Sequence, residues 1–318
     1  MNIARITLNK YFIPVLLLAA LALLVALPYY TPAYTKILFT SIFMYIILTV
    51  SWTIFSGFTG YISLATAAFF GVGIYTAALV GNAFPLPLML LLGGVASFVL
   101  ALIVGAITLR LRGVYFTMFT FGLIELVKHV ILWWEINLVG TRGRFVPRID
   151  DVTVFYIMLA ILTILLLIVY LIRRSRLGLA LYSIGQCEDA SMHVGINVTV
   201  VKVLAFSISS FFIGVAGSLI ATRWGYIDPY IAFNPFYSFL PVLMAIFGGL
   251  GNLAGPVLGA TVFSYLQEAL VTRFPYYYML IFGIIMVVTI LYLPSGLIGL
   301  TQKLKTRVLG GKDAHTSS

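Results

Sequence analysis

Apolar runs of about 20 residues follow one another along almost the whole chain, and this pattern constrains the fold more than any other feature. The runs lie at residues 11–30, 37–56, 60–80, 86–109, 114–134, 152–172, 202–222, 236–248, 252–272 and 276–293. Hydrophobic residues make up 62% of the chain and charged residues 9%, whereas a water-soluble domain carries roughly 25% charged residues. Since a helix crosses a bilayer with about 20 apolar residues, the sequence predicts an all-α polytopic membrane protein with about ten transmembrane helices. We expect residues 1–318 to form one transmembrane domain.

Lys and Arg residues divide unequally between the two sides of a ten-helix arrangement. One side has Arg5, Lys10, Arg110, Arg112, Arg173, Arg174, Arg176, Lys202, Lys303, Lys305, Arg307 and Lys312; the other has Lys36, Arg142, Arg144, Arg148, Arg223 and Arg273. Cytoplasmic loops carry the excess of Lys and Arg, so both termini and the polar interval at residues 173–201 are expected in the cytosol. This distribution explains the net charge of +10 without nucleic-acid binding. The first run has no cleavage pattern after it and is expected to remain as a helix.

Two of the runs contain glycines where a membrane helix would be continuous. The run at 60–80 follows Gly57 and Gly60, and the short run at 236–248 ends in glycines. Irregular backbone at membrane depth is tolerated inside protein or beside a wet cavity, and paired glycine-interrupted segments indicate a pathway between two halves. Residues expected to border it are Gly57, Gly60, Ser63, Ala67, Gly71, Gly248, Gly249 and Gly251. The alternatives are close helix packing through small residues and, at 236–248, a re-entrant hairpin.

Three ionisable residues fall inside the run at 114–134. Glu125 lies about 11 residues into it, near the centre of the bilayer at about 1.5 Å per residue. Lys128 is three positions further on and can pair with Glu125 on one helix face. We expect a structural ion pair, with a proton relay that includes His129 as the alternative.

The sequence lacks the patterns that are typical of an enzyme. His129, His193 and His315 lie far apart, and no phosphate-binding loop with Lys and Ser or Thr is present. The single cysteine, Cys187, excludes an internal disulfide and a cysteine metal site; we expect it to pack. No cofactor, metal site or catalytic residue is therefore expected.

The polar interval at 173–201 carries the signals of a short surface helix. Glu188 and Asp189 suit a first helical turn, Gly195 is placed to end the helix in a left-handed cap, and Gly185 is expected to end a preceding helix. A narrow stripe of small and medium side chains accompanies these signals: Leu177, Ala180, Leu181, Ile184, Cys187, Ser191 and Val194. We expect a helix on the membrane surface that fills a groove of a soluble partner. A solvated linker is the alternative.

Several motifs occur in a characteristic order. They are TG at 59–60, SL at 63–64, AAFFG at 67–71, GIYTAA at 73–78, LRGVYF at 111–116, EDA at 188–190, GINV at 195–198, KVLAF at 202–206, GVAG at 214–217, YIDP at 226–229, GGLG at 248–251 and GPVLGA at 255–260. Over most of its length the chain resembles the permease subunits of the branched-chain amino-acid ABC importers, of the second-permease type. The resemblance departs from the family pattern at Tyr61, where Gln is usual, at residues 65–66, where Gly-His is common, and at the basic residues 141–144.

This resemblance implies a set of partners and a location. The partners are a second homologous permease, two cytosolic ATP-binding subunits that hydrolyse ATP, and an extracytoplasmic substrate-binding protein that delivers an amino acid. The location is the cytoplasmic (inner) membrane of a prokaryote. The segment that receives the ATPases would contain Glu188, Asp189, Ala190, Ser191 and Gly195. Alternatives are a permease for urea or short amides, a secondary transporter driven through Glu125 and Lys128, and, last, an intramembrane enzyme.

Overall fold

The structure is a computed structural model that describes residues 21–277 except residue 112, together with residues 280, 281, 283–285, 287 and 296. Twelve α-helices lie within residues 21–277. They are α1 (Leu21–Tyr30), α2 (Ala33–Trp52), α3 (Thr66–Val80), α4 (Leu86–Thr108), α5 (Val114–Trp134), α6 (Asp151–Arg174), α7 (Arg176–Gln186), α8 (Glu188–His193), α9 (Val198–Trp224), α10 (Pro229–Ala232), α11 (Phe236–Gly248) and α12 (Ala254–Arg273). Two-residue strands β1 (Arg144–Phe145) and β2 (Tyr226–Ile227) pair antiparallel, and α2 and α5 continue into π-helical turns at Thr53–Gly57 and Glu135–Val139.

Six helical segments within the described residues are long and apolar enough to cross a membrane. They are Ala33–Gly57, Leu86–Thr108, Val114–Val139, Asp151–Arg174, Val198–Trp224 and Pro229–Gly248. The all-α, multi-pass character expected from the composition is thereby confirmed. Residues 11–20 and most of residues 276–293 lie outside the described part, so the count of ten helices stays a prediction.

The long helix α9 lies at the centre of the bundle and packs against α2, α3, α4 and α6. A Cβ on Gly73 would lie 2.1 Å from the carbonyl oxygen of Gly214, and one on Gly217 would lie 2.3 Å from that of Phe70. Ser218 donates a hydrogen bond of 2.9 Å to the carbonyl oxygen of Gly73. Small residues that let backbones approach closely are the usual basis of helix packing in membranes.

The connections between helices collect at two ends of the bundle. At one end, α7 and α8 lie beside the turn after α4, where Lys202 donates to the carbonyl oxygen of Leu109 at 3.2 Å. At the opposite end β1 pairs with β2, with Arg144 opposite Ile227. We refer to these as the α7–α8 end and the hairpin end.

The glycine-rich opening of the 60–80 run is a break between two helices. Helix α3 begins at Thr66, residues 61–65 have no regular structure, and Gly60 has a φ of 75°. The second glycine junction follows α11, where Gly249 has a φ of 99°. Glycine adopts positive φ without the steric penalty of a Cβ, so both junctions need glycine to change the direction of the chain.

Gly185 does not end a helix, contrary to the prediction. Helix α7 continues to Gln186, and the interruption falls at Cys187, whose φ is −157°. A Cβ on Gly185 would lie 2.0 Å from the carbonyl oxygen of Phe58. The glycine is therefore needed for a close contact between α7 and the break after α2.

Candidate functional site

Helix α8 has the start and the end that the sequence predicts. It runs from Glu188 to His193 with Glu188 and Asp189 in its first turn, and Gly195 follows with a φ of 88°. The backbone N–H of Gly195 donates to the carbonyl oxygen of Met192 at 3.0 Å. A helix of 6 residues is too short to be stable in water by itself, so contacts with the rest of the chain must hold α8.

The predicted stripe of small and medium side chains is buried in part. Leu181 and Ile184 on α7 are buried, and Ser191 on α8 is 1% exposed. Val194 is 82% exposed, and Cys187 is also exposed. The prediction that Cys187 packs is wrong, as is the extension of the stripe to Val194, because the chain turns out of α8 toward Gly195.

Glu188 is directed into the bundle. Its Oε1 accepts a hydrogen bond from Lys202 Nζ at 2.8 Å, and its Oε2 accepts one from Tyr61 Oη at 2.6 Å. Lys202 Nζ also donates to Tyr61 Oη at 3.4 Å and to the carbonyl oxygen of Leu109 at 3.2 Å. The same ammonium lies 4.5 Å from the centre of the Tyr61 ring. We call Tyr61, Glu188 and Lys202 the anchor triad.

The anchor triad joins three parts of the bundle: the break after α2, helix α8 and the first turns of α9. The side chain of Lys202 is 2% exposed, and a buried ammonium needs both an opposite charge and hydrogen-bond acceptors. The sequence predicts that Glu188 lies in the docking segment, has Lys202 within the motif KVLAF, and departs from the family pattern at Tyr61. Their pairing was missed because Tyr61 lies 127 residues from Glu188 and no local pattern signals such a contact.

Large apolar side chains are exposed on α7, on α8 and directly after α8. Leu179 is 68% exposed, Tyr182 61%, Met192 47% and Val194 82%. These segments lie outside the six candidate membrane spans, so lipid around a spanning helix does not account for the exposure. Apolar patches of this kind, here next to the exposed Asp189, are typical of protein interaction sites. We call Leu179, Tyr182, Met192 and Val194 the docking patch.

Some of the small residues predicted to border a pathway lie in tight contacts. A Cβ on Gly71 would lie 2.4 Å from the ring of Phe233, and one on Gly248 would lie 1.9 Å from the carbonyl oxygen of Gly255. Ala67 on α3 is fully buried. Close packing is a sufficient physical reason for small residues at these three positions.

Other members of that set lie at open positions. A Cβ on Gly60 or Gly251 would have no heavy atom within 4 Å. Ser63 lies in the break near Gly60, and its carbonyl oxygen accepts a hydrogen bond of 2.7 Å from Trp52 Nε1. Gly57 ends the π-helical turn before the break, and Gly249, with its positive φ, precedes Gly251.

The two residues predicted to pair inside α5 are in contact. Lys128 Nζ lies 2.5 Å from Glu125 Oε2, and His129 Nε2 lies 3.6 Å from the same oxygen. The side chain of Glu125 is 40% exposed and that of His129 is 62% exposed. Among the six candidate spans, the one that contains α5 is the least buried within the chain, at 28%. Ionisable groups at this depth do not face lipid, so this face of α5 needs a covering of protein or water.

Two arginines at the hairpin end are paired with carboxylates of the same chain. Arg142 Nε donates to Asp228 Oδ2 at 2.8 Å, and this hydrogen bond, followed by the charge of Asp228, raises the pKa of Arg142. Arg144 lies 3.7 Å from Oε1 of the fully buried Glu135 and stacks over the ring of Trp134 at 4.9 Å. Both arginines therefore cross-link the segments that meet at the hairpin end.

The fold and these sites define the class of multi-pass helical membrane proteins. In this chain two short helices, α7 and α8, are held against the break after α2. Within the described residues, no group of three His, Cys, Asp or Glu side chains could hold a metal ion. Residues 34–290 match the family described as the permease component of the branched-chain amino acid transport system. The chain belongs to this family.

Curated relatives agree with the family assignment. The high-affinity branched-chain amino acid transport system permease protein LivM of Salmonella typhimurium is 28% identical over 338 residues, which cover 94% of this chain and 78% of that protein. LivM of Escherichia coli has the same identity and coverage. LivH of Salmonella typhimurium, a permease protein with the same description, is 27% identical over 51% of this chain and 52% of its own length. No solved structure matches. The family and the permease function expected from the motifs are confirmed.

Proposed function

We propose that this chain is the membrane-spanning permease subunit of an ATP-driven importer of branched-chain or related apolar amino acids, in the cytoplasmic membrane of a prokaryote. Family membership supports the transport role, and the docking patch on α7 and α8 is the observation that supports coupling to soluble subunits. The chain is a single domain of residues 1–318 with about ten membrane helices and both termini in the cytosol. It performs no catalysis itself, because ATP is hydrolysed by separate partner subunits.

A second, homologous permease completes the membrane part. The chain is similar along most of its length to LivM and along half of it to LivH, as expected if two permeases of one system descend from a common form. We assign the exposed face of α5, with Glu125 and His129, to the boundary with this second permease. That covering satisfies the requirement that ionisable groups at membrane depth face protein or water.

Two cytosolic ATPases act on the permease through the segment Glu188, Asp189, Ala190, Ser191 and Gly195. In this proposal the docking patch provides the contact surface, and Asp189 and Ala190 lie on the exposed side of α8 with it. Glu188 acts from the inner side as the anchor to Tyr61 and Lys202. Displacement of α8 by the ATPases therefore moves the break after α2 and the start of α9 as one unit, which is rigid-body switching.

The translocation pathway is proposed to border the two glycine junctions, with Gly57, Gly60, Ser63, Ala67 and Gly71 at one and Gly248, Gly249 and Gly251 at the other. The open positions Gly60 and Gly251 are its accessible points, and the packed members allow the neighbouring helices to approach closely. An extracytoplasmic binding protein delivers the amino acid at the hairpin end.

The docking assignment is tested by placing a charge in the patch. Met192→Asp introduces a carboxylate at a half-exposed apolar position, so it should remove the ATPases from the purified complex and abolish ATP hydrolysis stimulated by the binding protein. Leu111→Asp is the matched control, because Leu111 is 38% exposed in the turn after α4 at the same end of the bundle. Full retention of the ATPases and of stimulated hydrolysis in Met192→Asp would place the contact elsewhere.

The substrate is tested on the extracytoplasmic binding protein of the proposed complex. Calorimetric titration of that protein with L-leucine and with urea should give binding of leucine alone. Binding of urea alone would assign the complex to the short-amide importers.

A further inference from the structure

Two cavities lie side by side near the hairpin end and meet at Arg223. The inner cavity, of about 170 Å³, lies between α2, α9, α11 and α12. The outer cavity, of about 660 Å³, lies between the first turns of α2 and the start of α6. Ser41, Arg223 and Trp224 line both. The inner cavity is thus next to a wide opening at the end of the bundle where substrate would arrive.

Arg223 supplies an incompletely used positive charge to the inner cavity. Its side chain is 21% exposed, and its Nε lies 3.7 Å from Asp151 Oδ1. Its Nη1 donates to Ser41 Oγ at 3.4 Å. Both contacts are long for a guanidinium, which has five N–H donors. Among the described residues, Arg223 therefore keeps N–H groups that can donate to a carboxylate.

The α12 wall of the same cavity supplies acceptors. Gln267 Oε1 and Ser264 Oγ are buried and have no hydrogen-bond partner among the described residues, and Ser264 is 5% exposed. Glu268, one residue beyond Gln267, accepts a hydrogen bond of 3.2 Å from the exposed Tyr34 Oη. Buried polar atoms in folded proteins normally have partners, so this wall indicates a polar ligand.

The remaining lining is mostly apolar, with the phenol side chains of Tyr45 and Tyr237 among it. Leu38 and Ile42 on α2 and Ile220 on α9 face the cavity together with the Trp224 ring. A simple anion would meet the carboxylate of Glu268, and a simple cation would meet Arg223. A small molecule with both charges and an apolar side chain satisfies all of these groups.

We propose that the inner cavity is a binding subsite for a free amino acid in its zwitterionic form. Arg223 binds the α-carboxylate. Glu268 and Gln267 accept hydrogen bonds from the α-ammonium, and the aliphatic side chain of the bound amino acid packs against Ile42 and Ile220. The proposal rests on the proposed function and deepens it, because it locates a site at which the permease holds its substrate. A volume of about 170 Å³ suits a single amino acid better than the acyl chains of a lipid.

The test is direct binding of L-[³H]leucine to the full-length chain in phosphatidylglycerol nanodiscs. Arg223→Gln should weaken binding by about tenfold or more, because a hydrogen bond to a charged group contributes at least that factor. Arg273→Gln is the matched control, since it removes an exposed arginine at the same end that lines neither cavity. Ser264→Leu fills the cavity without removing a charge and should also abolish binding while the thermal melting of the protein is kept.

Competition in the wild-type protein tests the zwitterion requirement. Isoamylamine lacks the carboxylate and 4-methylpentanoate lacks the ammonium, so neither should displace L-leucine. Equal displacement by 4-methylpentanoate would overturn the proposal in favour of an anion site. The headgroup of phosphatidylethanolamine carries an ammonium and a phosphate, so it would compete for the cavity if the cavity were a lipid site. Loss of leucine binding in phosphatidylethanolamine nanodiscs would therefore overturn the proposal in favour of a lipid headgroup.

The outcome does not depend on the proposed function, since this assay needs neither ATPases nor binding protein. Wild-type affinity in both Arg223→Gln and Ser264→Leu would refute the subsite even if the complex imports leucine. Specific binding that these variants abolish would support it even if ATP-driven uptake were absent.

Discussion

Replacing Lys202 by Met should release α8 from the bundle. Lys202 Nζ makes an ion pair of 2.8 Å with Glu188 and a hydrogen bond of 3.2 Å with the carbonyl oxygen of Leu109. Removing one partner of a buried ion pair costs about 3–5 kcal/mol, because the other charge stays buried without compensation. The side chain of Glu188 is 17% exposed, so water solvates it partly. We therefore expect a loss at the lower end, about 3 kcal/mol in the free energy of unfolding.

The double variant separates the ion pair from general damage. Lys202→Met combined with Glu188→Gln removes both charges, and the Gln carbonyl oxygen can still accept from Tyr61 Oη. We expect the double variant to lose about 1 kcal/mol, the typical value of one hydrogen bond, and therefore less than Lys202→Met alone. The four proteins of this cycle are compared by equilibrium unfolding in mixed micelles. Arg110→Met is the control, because Arg110 is exposed at the same end, and its effect should stay within about 0.5 kcal/mol.

The functional consequence is measured on the reconstituted complex. If the anchor triad transmits the movement of α8, Lys202→Met should keep stimulated ATP hydrolysis while uptake per ATP falls. The reasoning fails if Lys202→Met unfolds no more easily than Arg110→Met, or if the double variant loses as much as the two single losses together. Either result would mean that Glu188 and Lys202 do not act as a pair.

Two further predictions follow from the backbone and the orientation. Gly185→Ala should destabilise the protein by about 1–3 kcal/mol through overpacking, because its Cβ would lie 2.0 Å from a carbonyl oxygen. The control Gly122→Ala changes an open helical position and should be neutral or stabilising in the same thermal melts. Equal melting temperatures of the two variants would contradict this prediction. In a Cys187→Ser background, an impermeant thiol reagent applied to intact cells should label a cysteine at Thr141 and not one at Ser183; the reverse labelling would invert the proposed topology.

Local sequence signals were enough for much of the helical framework. Helices α4, α5, α6, α11 and α12 begin and end within two residues of the predicted runs, because the lengths of apolar segments follow the thickness of the bilayer. The start and the end of α8 were also predictable from Glu188, Asp189 and Gly195. Acidic residues in a first turn and a glycine in the left-handed conformation affect only the few residues around them, so both signals can be read locally.

Distant contacts account for what the sequence could not show. Gly185 has the sequence signal of a helix end. The structure instead explains the glycine by the close approach of the Phe58 backbone, which belongs to another part of the chain. The inward direction of Glu188 was equally hidden, because a helix of 6 residues is too short for its periodicity to assign a buried face. The start of α3 at Thr66 depends on the break at residues 61–65, whose backbone is held by partners such as Thr120 Oγ1 and Ser56 Oγ.

Tyr61 shows how a departure from the family pattern gains a physical meaning from the structure. Where the family usually has Gln, this chain places a phenol next to the positive-φ Gly60, and its hydroxyl reaches Glu188 at 2.6 Å. The ring also lies under the Lys202 ammonium at 4.5 Å, a cation–π contact that an amide cannot supply. Tyr61 lies close to the glycine junction, yet its contacts go to the segment proposed to receive the ATPases. We therefore expect the departure at this position to affect the attachment of α8 to the break after α2.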